Sequence, residues 1–238
     1  MDYKFTIIVP VFNEADNLIR VETELISYIN TIKIATKVLL VNDGSTDDSQ
    51  SLIEAICKRN ENFDYILLSK NNGLSAALKA GIEQVDTILT GYIDADLQTS
   101  PNDFDLLLEY IDTYDLVTGF RSNRKDTRVK KVISKVSNGI RRIFTQDGMT
   151  DTGCPLKIIQ TKSAKQIPKF KGFHRFLPAM ILLQGGTVKQ VTVSHYPRIN
   201  GVSNFGLKNR FLSPFLYCFV YLWMKQKTIT YKIIKKSL

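Results

Sequence analysis

The first 120 residues alternate between short apolar blocks and stretches in which apolar side chains recur every three or four positions. TIIVPVF (6–12), KVLLVNDGS (37–45), YILLS (65–69), ILTGYIDAD (88–96) and DLVTGF (115–120) are short apolar, β-rich runs and read as strands. Between them, residues 15–29 carry Leu18, Val21, Leu25 and Ile29 at helical spacing. Residues 47–57 read as a helix with acids in its first turn, and residues 74–85 as a third helix. Pro101 suits the first turn of a helix running to Ile111. Continuous apolar strands separated by helices predict an α/β fold with a mostly parallel sheet covered on both faces. In such sheets ligands collect at the carboxyl ends of the strands.

The second half departs from this rhythm. Residues 121–146 predict a basic loop followed by a helix, and 148–159 a loop leading into a short strand. HRFLPAMILLQ (174–184) reads as a helix and TVKQVTVSHY (187–196) as a strand. LSPFLYCFVYLWM (212–224) is largely apolar but only thirteen residues long, shorter than the roughly 17–25 that a spanning helix needs. Basic residues flank it on both sides, and it carries Trp223 and several tyrosines. It therefore suits a helix lying in the interface of an anionic leaflet, with a buried core helix or an oligomer contact as the alternative. No repeat or linker interrupts the chain, so one domain (1–206) with a basic C-terminal extension (207–238) is expected.

Charge changes the picture by its placement. The chain carries +9 in 238 residues. Nine Lys/Arg against one acid fall in residues 121–142, and five Lys with no acid lie in 225–238. The rest of the chain is mildly acidic, so two basic segments are offered to an anionic partner. No nucleic-acid-binding motif appears, and nucleic acid is excluded as the expected partner. The three cysteines are scattered and match no metal or disulfide spacing, which suggests reduced thiols. The first residues enter a strand directly, so no secretory leader is expected.

Candidate chemistry follows the strand ends. Neither the glycine fingerprint of a dinucleotide fold nor a phosphate-binding P-loop is present. Instead Asn13 and Glu14, Asn42 and Asp43, then Asp94 and Asp96 follow successive strands. These are poor partners for a bare diphosphate and good ligands for a hard divalent cation that bridges carboxylate and phosphate. Gly73 and the small residues Ser75, Ala76 and Ala77 open a helix where a backbone can approach a ligand, or where helix and strand pack closely. DADLQ alone is equally an ordinary acidic strand exit. Cys154 has no histidine base near it in sequence, which argues against a thiol nucleophile.

The ordered strings VPVFNE, VNDGSTDDS, NNGLSAALKAG, DADLQ, TDTGCPLK, HRFLPA and HYPRINGVSNFG resemble family 2 glycosyltransferases of the GT-A fold. The later strings TDTGCPLK, HRFLPA and HYPRINGVSNFG are similar to the dolichol-phosphate mannose synthase branch, which includes bacterial polyprenyl-phosphate glycosyltransferases. The resemblance spans residues 5–224. It implies an inverting, metal-dependent hexosyltransferase. Such an enzyme moves a sugar from a UDP- or GDP-sugar to a polyprenyl phosphate for cell-surface glycan synthesis, as a peripheral protein at the cytoplasmic membrane face. It assigns Asp96 and Gln98 to Mg²⁺ or Mn²⁺, and Asp94 with Ala95 to the nucleotide sugar. Pro10, Phe12, Glu14, Asp43 and Gly73 line the nucleoside pocket. Arg198 binds the donor diphosphate, with Lys208 compensating for Asn204, which stands where the family has Lys. Arg121 and Asp151 stand near the reacting centre, and Arg124, Arg128, His174 and Arg175 face the acceptor phosphate. The two histidines also read as structural. Other readings are transfer to a glycan hydroxyl, with Asp151 as base, and a nucleotide-sugar-binding scaffold for a membrane-protein partner.

Overall fold

The computed structural model describes residues 2–121, 141–197 and 207–229, together with 139 and 235; within 207–215 it describes the backbone alone. The elements run β1 (Phe5–Val11), α1 (Ala15–Ile29), β2 (Thr36–Asn42), α2 (Ser49–Arg59), β3 (Phe63–Leu67), α3 (Leu74–Gln84) and β4 (Leu89–Tyr92). A 3₁₀ turn at Pro101–Asp103 leads into α4 (Phe104–Leu108) and β5 (Leu116–Arg121). After a helical stretch at 141–145 come β6 (Lys157–Gln160), α5 (Thr161–Gln166), a 3₁₀ turn at Phe173–Arg175, α6 (Leu177–Leu183), β7 (Val188–Val193) and α7 (Leu207–Lys227).

Among the described residues the sheet has seven strands in the order β3-β2-β1-β4-β6-β5-β7. All neighbours pair in parallel except β6, which runs antiparallel to both β4 and β5. The period-two pleat, with a core on each face, explains why the central strands are apolar throughout, whereas the edge strands β3 and β7 are only partly buried. Phe5, Ile7, Val9 and Val11 of β1 face one core with Leu18, Val21 and Leu25 of α1. Ile8 faces the other core, with Ala77 and Leu78 of α3 and Phe173, Phe176 and Met180. Both faces are dry, so a polar side chain there needs an internal partner, as Thr6 finds in Thr87 at 2.7 Å. Phe104 anchors α4, edge-on to Phe5 at 5.4 Å between ring centroids.

Several boundaries differ from the sequence expectation, each for a local reason. β4 ends at Tyr92, so Asp94 and Asp96 lie in a loop beyond the strand. Burial of Ile93 and Ala95 is what extended the apolar pattern past the last ladder pair. α2 starts at Ser49, and Asp47 sits ahead of it, accepting from the Ser49 N–H at 3.0 Å. The 174–184 segment divides into a 3₁₀ turn and α6, with Pro178 inside the first helical turn. The Pro101 helix ends at Leu108, short of Ile111. α7 has 21 residues, longer than the apolar run it contains, and packs Cys218 and Tyr221 into the second core. No helix among the described residues is long and apolar enough to cross a membrane.

Candidate active site

The carboxyl ends of β1, β2, β4 and β5 and the amino end of β6 meet at one edge of the sheet. Antiparallel β6 enters there with its first residue, Lys157, opposite Tyr92 on one side and Thr118 on the other.

The loops after β1 and β2 are sewn together. Asn13 adopts a left-handed backbone at φ 54°. Its N–H donates to Ser45 Oγ at 3.0 Å, and its Oδ1 accepts from the Thr46 N–H at 2.8 Å. The Glu14 N–H donates to Ser49 Oγ at 3.1 Å, and the Glu14 carboxylate accepts from Asn17 at 2.5 Å. Pro10 and Phe12 are half-buried beside this loop. Buried Asp43 accepts from the backbone N–H groups of Asn72 at 2.9 Å and Gly73 at 2.7 Å. The carboxylate that sequence reasoning assigned to the nucleoside pocket thus clasps the loop entering α3. Gly44, at φ 67°, presses on that same loop: a Cβ there would lie 2.4 Å from the Lys70 carbonyl carbon.

The acidic loop is equally fixed. Leu97 is left-handed at φ 44° and donates its N–H to the Asp94 carbonyl at 3.1 Å. The Gln98 N–H donates to Asp96 Oδ1 at 3.2 Å, and Tyr196 donates its N–H to the Gln98 carbonyl at 2.8 Å. Arg20 of α1 reaches the carbonyls of Asp96 and Leu97, both at 3.4 Å. Half-buried Asp94 accepts from the Tyr92 hydroxyl at 2.5 Å. Burial, and then the charge of Asp96, push the Asp94 carboxyl up to about 6, against the pull of Tyr92, Lys157 and Arg121.

Beside it lies a cationic group. Arg121 at the end of β5 forms a two-point ion pair with Asp151, at 2.8 and 3.0 Å. The two side chains are only 9% and 5% exposed. Burial disfavours the Arg121 charge, but the bonds and charge of Asp151 outweigh it and its pKa rises. Asp151 accepts a further bond from the Gly153 N–H at 3.1 Å. Lys157 is buried, donates to the Cys154 carbonyl, and holds its ammonium 5.7 Å from the centre of the Tyr92 ring. Burial lowers its pKa. Buried Cys154 is pushed up to about 11 by desolvation, against the pull of Lys157 and Arg121, so its thiol stays protonated and is no nucleophile.

A third group joins α3 to the Phe173–Arg175 turn. Ser75 Oγ accepts from the Gly172 N–H at 2.8 Å and lies 3.0 Å from His174 Nδ1. That contact ties the imidazole of the turn to the first turn of α3. Burial, then the charges of Arg175 and Lys157, push His174 down to about 3 and keep it neutral.

The structure thus brings Asp94, Ala95, Asp96, Gln98, Arg121 and Asp151 to one edge, with Pro10, Phe12, Glu14, Asp43 and Gly73 on the β1–β2 side and His174 and Arg175 beyond α3. Arg124, Arg128 and Arg198 lie outside the described residues, as does the side chain of Lys208. Sequence reasoning missed Lys157, Tyr92 and Arg20, and read Ser75 only as a small residue opening a helix. A lysine at the head of the apolar run KII was the one available signal for Lys157.

No group of three or more Asp, Glu, His or Cys poised to hold a metal occurs among the described residues. The donor set is instead a pair of carboxylates and an amide in one loop, Asp94, Asp96 and Gln98. The charge of Asp96 raises the Asp94 pKa, so negative charge is crowded there. A hard divalent ion fits such a set when a substrate phosphate supplies its remaining oxygens.

Residues 6–167 match the family model described as glycosyl transferase family 2. The chain is 30% identical over 220 residues to a dodecaprenyl-phosphate galacturonate synthase from Rhizobium johnstonii, covering 87% of this chain and 63% of that one. It is 28% identical over 204 residues to an undecaprenyl-phosphate 4-deoxy-4-formamido-L-arabinose transferase from Edwardsiella ictaluri, covering 85% and 63%. The chain therefore spans less than two thirds of the length of these relatives. Among solved structures, it resembles a glucosyl-3-phosphoglycerate synthase from Mycobacterium tuberculosis in complex with Mn²⁺, UDP and glucosyl-3-phosphoglycerate. That match has a TM-score of 0.70 at 14% identity, covering 96% of this chain and 81% of that one. A mannosyltransferase from Pyrobaculum calidifontis in complex with GDP-Man and Mn²⁺ matches with a TM-score of 0.63 at 14% identity, covering 93% and 70%. The mostly parallel sheet flanked by helices is the GT-A fold of these neighbours.

Proposed function

The chain belongs to glycosyl transferase family 2, and from that premise we propose that it moves a sugar from a nucleotide diphosphate donor to a polyprenyl phosphate. The acceptor phosphate oxygen bonds to the anomeric carbon as the bond from that carbon to the diphosphate oxygen breaks, with inversion. The nucleoside diphosphate leaves with the electron pair.

The observation that carries the acceptor assignment is the state of Asp151. Both its oxygens are engaged by Arg121, and Oδ1 also accepts from Gly153. A carboxylate committed in this way positions Arg121 and is a poor base for a sugar hydroxyl. A phosphate acceptor is already an anion and needs no base. The names of the polyprenyl-phosphate relatives point the same way.

Other residues bind and orient. Asp43 keeps the loop at Asn72 and Gly73 closed against the nucleoside side, next to Pro10, Phe12 and Glu14. Asp96 and Gln98, with Asp94 beside them, would hold Mg²⁺ or Mn²⁺. When bound, the ion neutralises charge on the departing diphosphate. Arg121 supplies fixed positive charge behind the acidic loop, with Lys157 buried beside it, so the edge is pre-organised for an anionic transition state. Neutral His174, held by Ser75, stands on the side assigned to the acceptor. Arg124, Arg128, Arg175, Arg198 and Lys208 are assigned to the phosphates, as the basic segments suggest.

The test is a donor panel of UDP- and GDP-sugars with Mn²⁺ or Mg²⁺ and a short-chain polyprenyl phosphate, read by mass spectrometry. A lipid of increased mass with one donor class is expected. Donor hydrolysis or donor binding without any lipid-linked sugar would overturn the assignment.

A further inference from the structure

α7 has two apolar faces, and the described residues cover only one. Tyr217, Cys218, Tyr221 and Met224 pack on the second core. Leu216, Phe219, Val220 and Trp223, spaced three and four apart on the opposite side, are exposed, Trp223 at 62%. A surface helix ordinarily turns polar residues to water on that side.

The exposed face continues onto a second element. Phe219 packs edge-on against Phe144 at 5.5 Å between ring centroids, and the neighbouring Ile143 is 74% exposed. The Tyr221 hydroxyl donates to the Thr145 carbonyl at 3.3 Å. Two elements more than seventy residues apart therefore share one apolar platform. Arg142 lies exposed beside Ile143, and Lys225 and Lys227 are exposed at the end of α7. The α7 sequence contains no acidic residue.

We infer that this platform, Ile143 with the outer face of α7, is the surface by which the protein docks on an anionic bilayer. Charge complementarity decides between occupants. A second copy docked face to face would bring two sets of cations, Arg142, Lys225 and Lys227, to one interface with no acid of α7 to pair them, a like-charge arrangement that opposes association. An anionic leaflet accepts the apolar side chains between its headgroups and pairs with the flanking cations.

The platform is also tied to the reaction edge. Arg141 pairs with Asp147 and donates to the Met149 carbonyl at 2.8 Å, two residues before Asp151. Docking on Ile143 and α7 thus sets the Arg121–Asp151 pair at a fixed disposition to the lipid surface. The inference stands apart from the transfer chemistry, since it concerns binding to lipid without any donor.

Trp223 is the single tryptophan of the chain, so intrinsic emission reports on the platform directly. The full chain is mixed with vesicles of equal parts phosphatidylglycerol and phosphatidylcholine, and separately with phosphatidylcholine alone. A blue shift and co-sedimentation with the anionic vesicles, weakened by high salt, are expected. Ile143→Glu, at a site open to solvent, should weaken partition about tenfold with an unchanged melting curve. Lys225→Glu with Lys227→Glu should weaken it by a similar factor. Absence of both shift and sedimentation would overturn the inference. So would equal binding to neutral vesicles, or a concentration-dependent blue shift and dimer without lipid, which would assign the face to a second copy. Because no sugar donor is present, a negative result here leaves the transfer assay to be read on its own.

Discussion

Replacing Asp94 with asparagine is expected to make the metal-free protein more stable at neutral pH while removing sugar transfer. Asp94 accepts from Tyr92 and stands beside Lys157 and Arg121, yet burial and the charge of Asp96 dominate. A carboxyl whose folded pKa is raised binds its proton more tightly folded than unfolded. The folded state therefore loses stability as pH rises from the ordinary 3.8 through about 6. That rise corresponds to about 3 kcal/mol held against the fold at neutral pH. Asparagine mimics the protonated acid in shape but brings an NH₂ group that needs a new partner, which gives back about 1 kcal/mol. A net gain of about 2 kcal/mol raises the melting temperature by about 4–8 °C in a chain of this size. Calorimetry with a chelator at about pH 7.5 should show that rise, and at about pH 4.5 it should nearly vanish. A lower melting temperature at both pH values, or a rise of equal size at both, would refute the reasoning. Parallel assays should show transfer lost, because the crowded charge is what prepares the loop for a cation.

Three further outcomes follow from the same geometry. Arg121→Met or Asp151→Asn alone should cost about 3–5 kcal/mol in urea unfolding by stranding a buried charge, whereas Arg121→Met with Asp151→Leu should recover much of that stability and still not transfer sugar. Gly44→Ala should destabilise by about 3 kcal/mol, because the left-handed backbone and the Lys70 main chain leave no room for a methyl group, and nucleotide affinity should fall as the Asp43 clasp loosens. His174 should show no imidazole titration by NMR between about pH 5 and 8. Because its folded pKa lies below the ordinary 6.5, it should lower stability as pH falls under that value, and a titration midpoint near 6.5 would contradict the buried Ser75-bound arrangement.

The strand–helix alternation was readable because the central strands are buried on both faces and so are written in apolar letters, as Phe5–Val11 shows. The direction of β6 was not readable: KIIQ is the same string in either orientation, and only the two ladders beside it fix the sense. Asp94, Asp96 and Gln98 were singled out by their order among other strings, although the strand stops before them. The clasp of Asp43 on Asn72 and Gly73 was out of reach, since a side chain bonding to backbone amides across two loops leaves no pattern in sequence. Lys157 was passed over because a lysine ordinarily faces water, and here antiparallel pairing turns it into the sheet edge behind Tyr92. The apolar run at 212–224 was recognised, but that one of its faces packs on the core and the other shares a platform with Ile143 depends on tertiary packing.

The central claim is that the acceptor oxygen belongs to a lipid phosphate. ³¹P and ¹H NMR of the purified product after incubation with the active donor, a divalent ion and short-chain polyprenyl phosphate test it most directly. The account predicts a phosphodiester linking the anomeric carbon to the lipid phosphate, with anomeric configuration opposite to the donor's. A sugar attached through a hydroxyl, a retained configuration, or free sugar with unmodified lipid phosphate would contradict it.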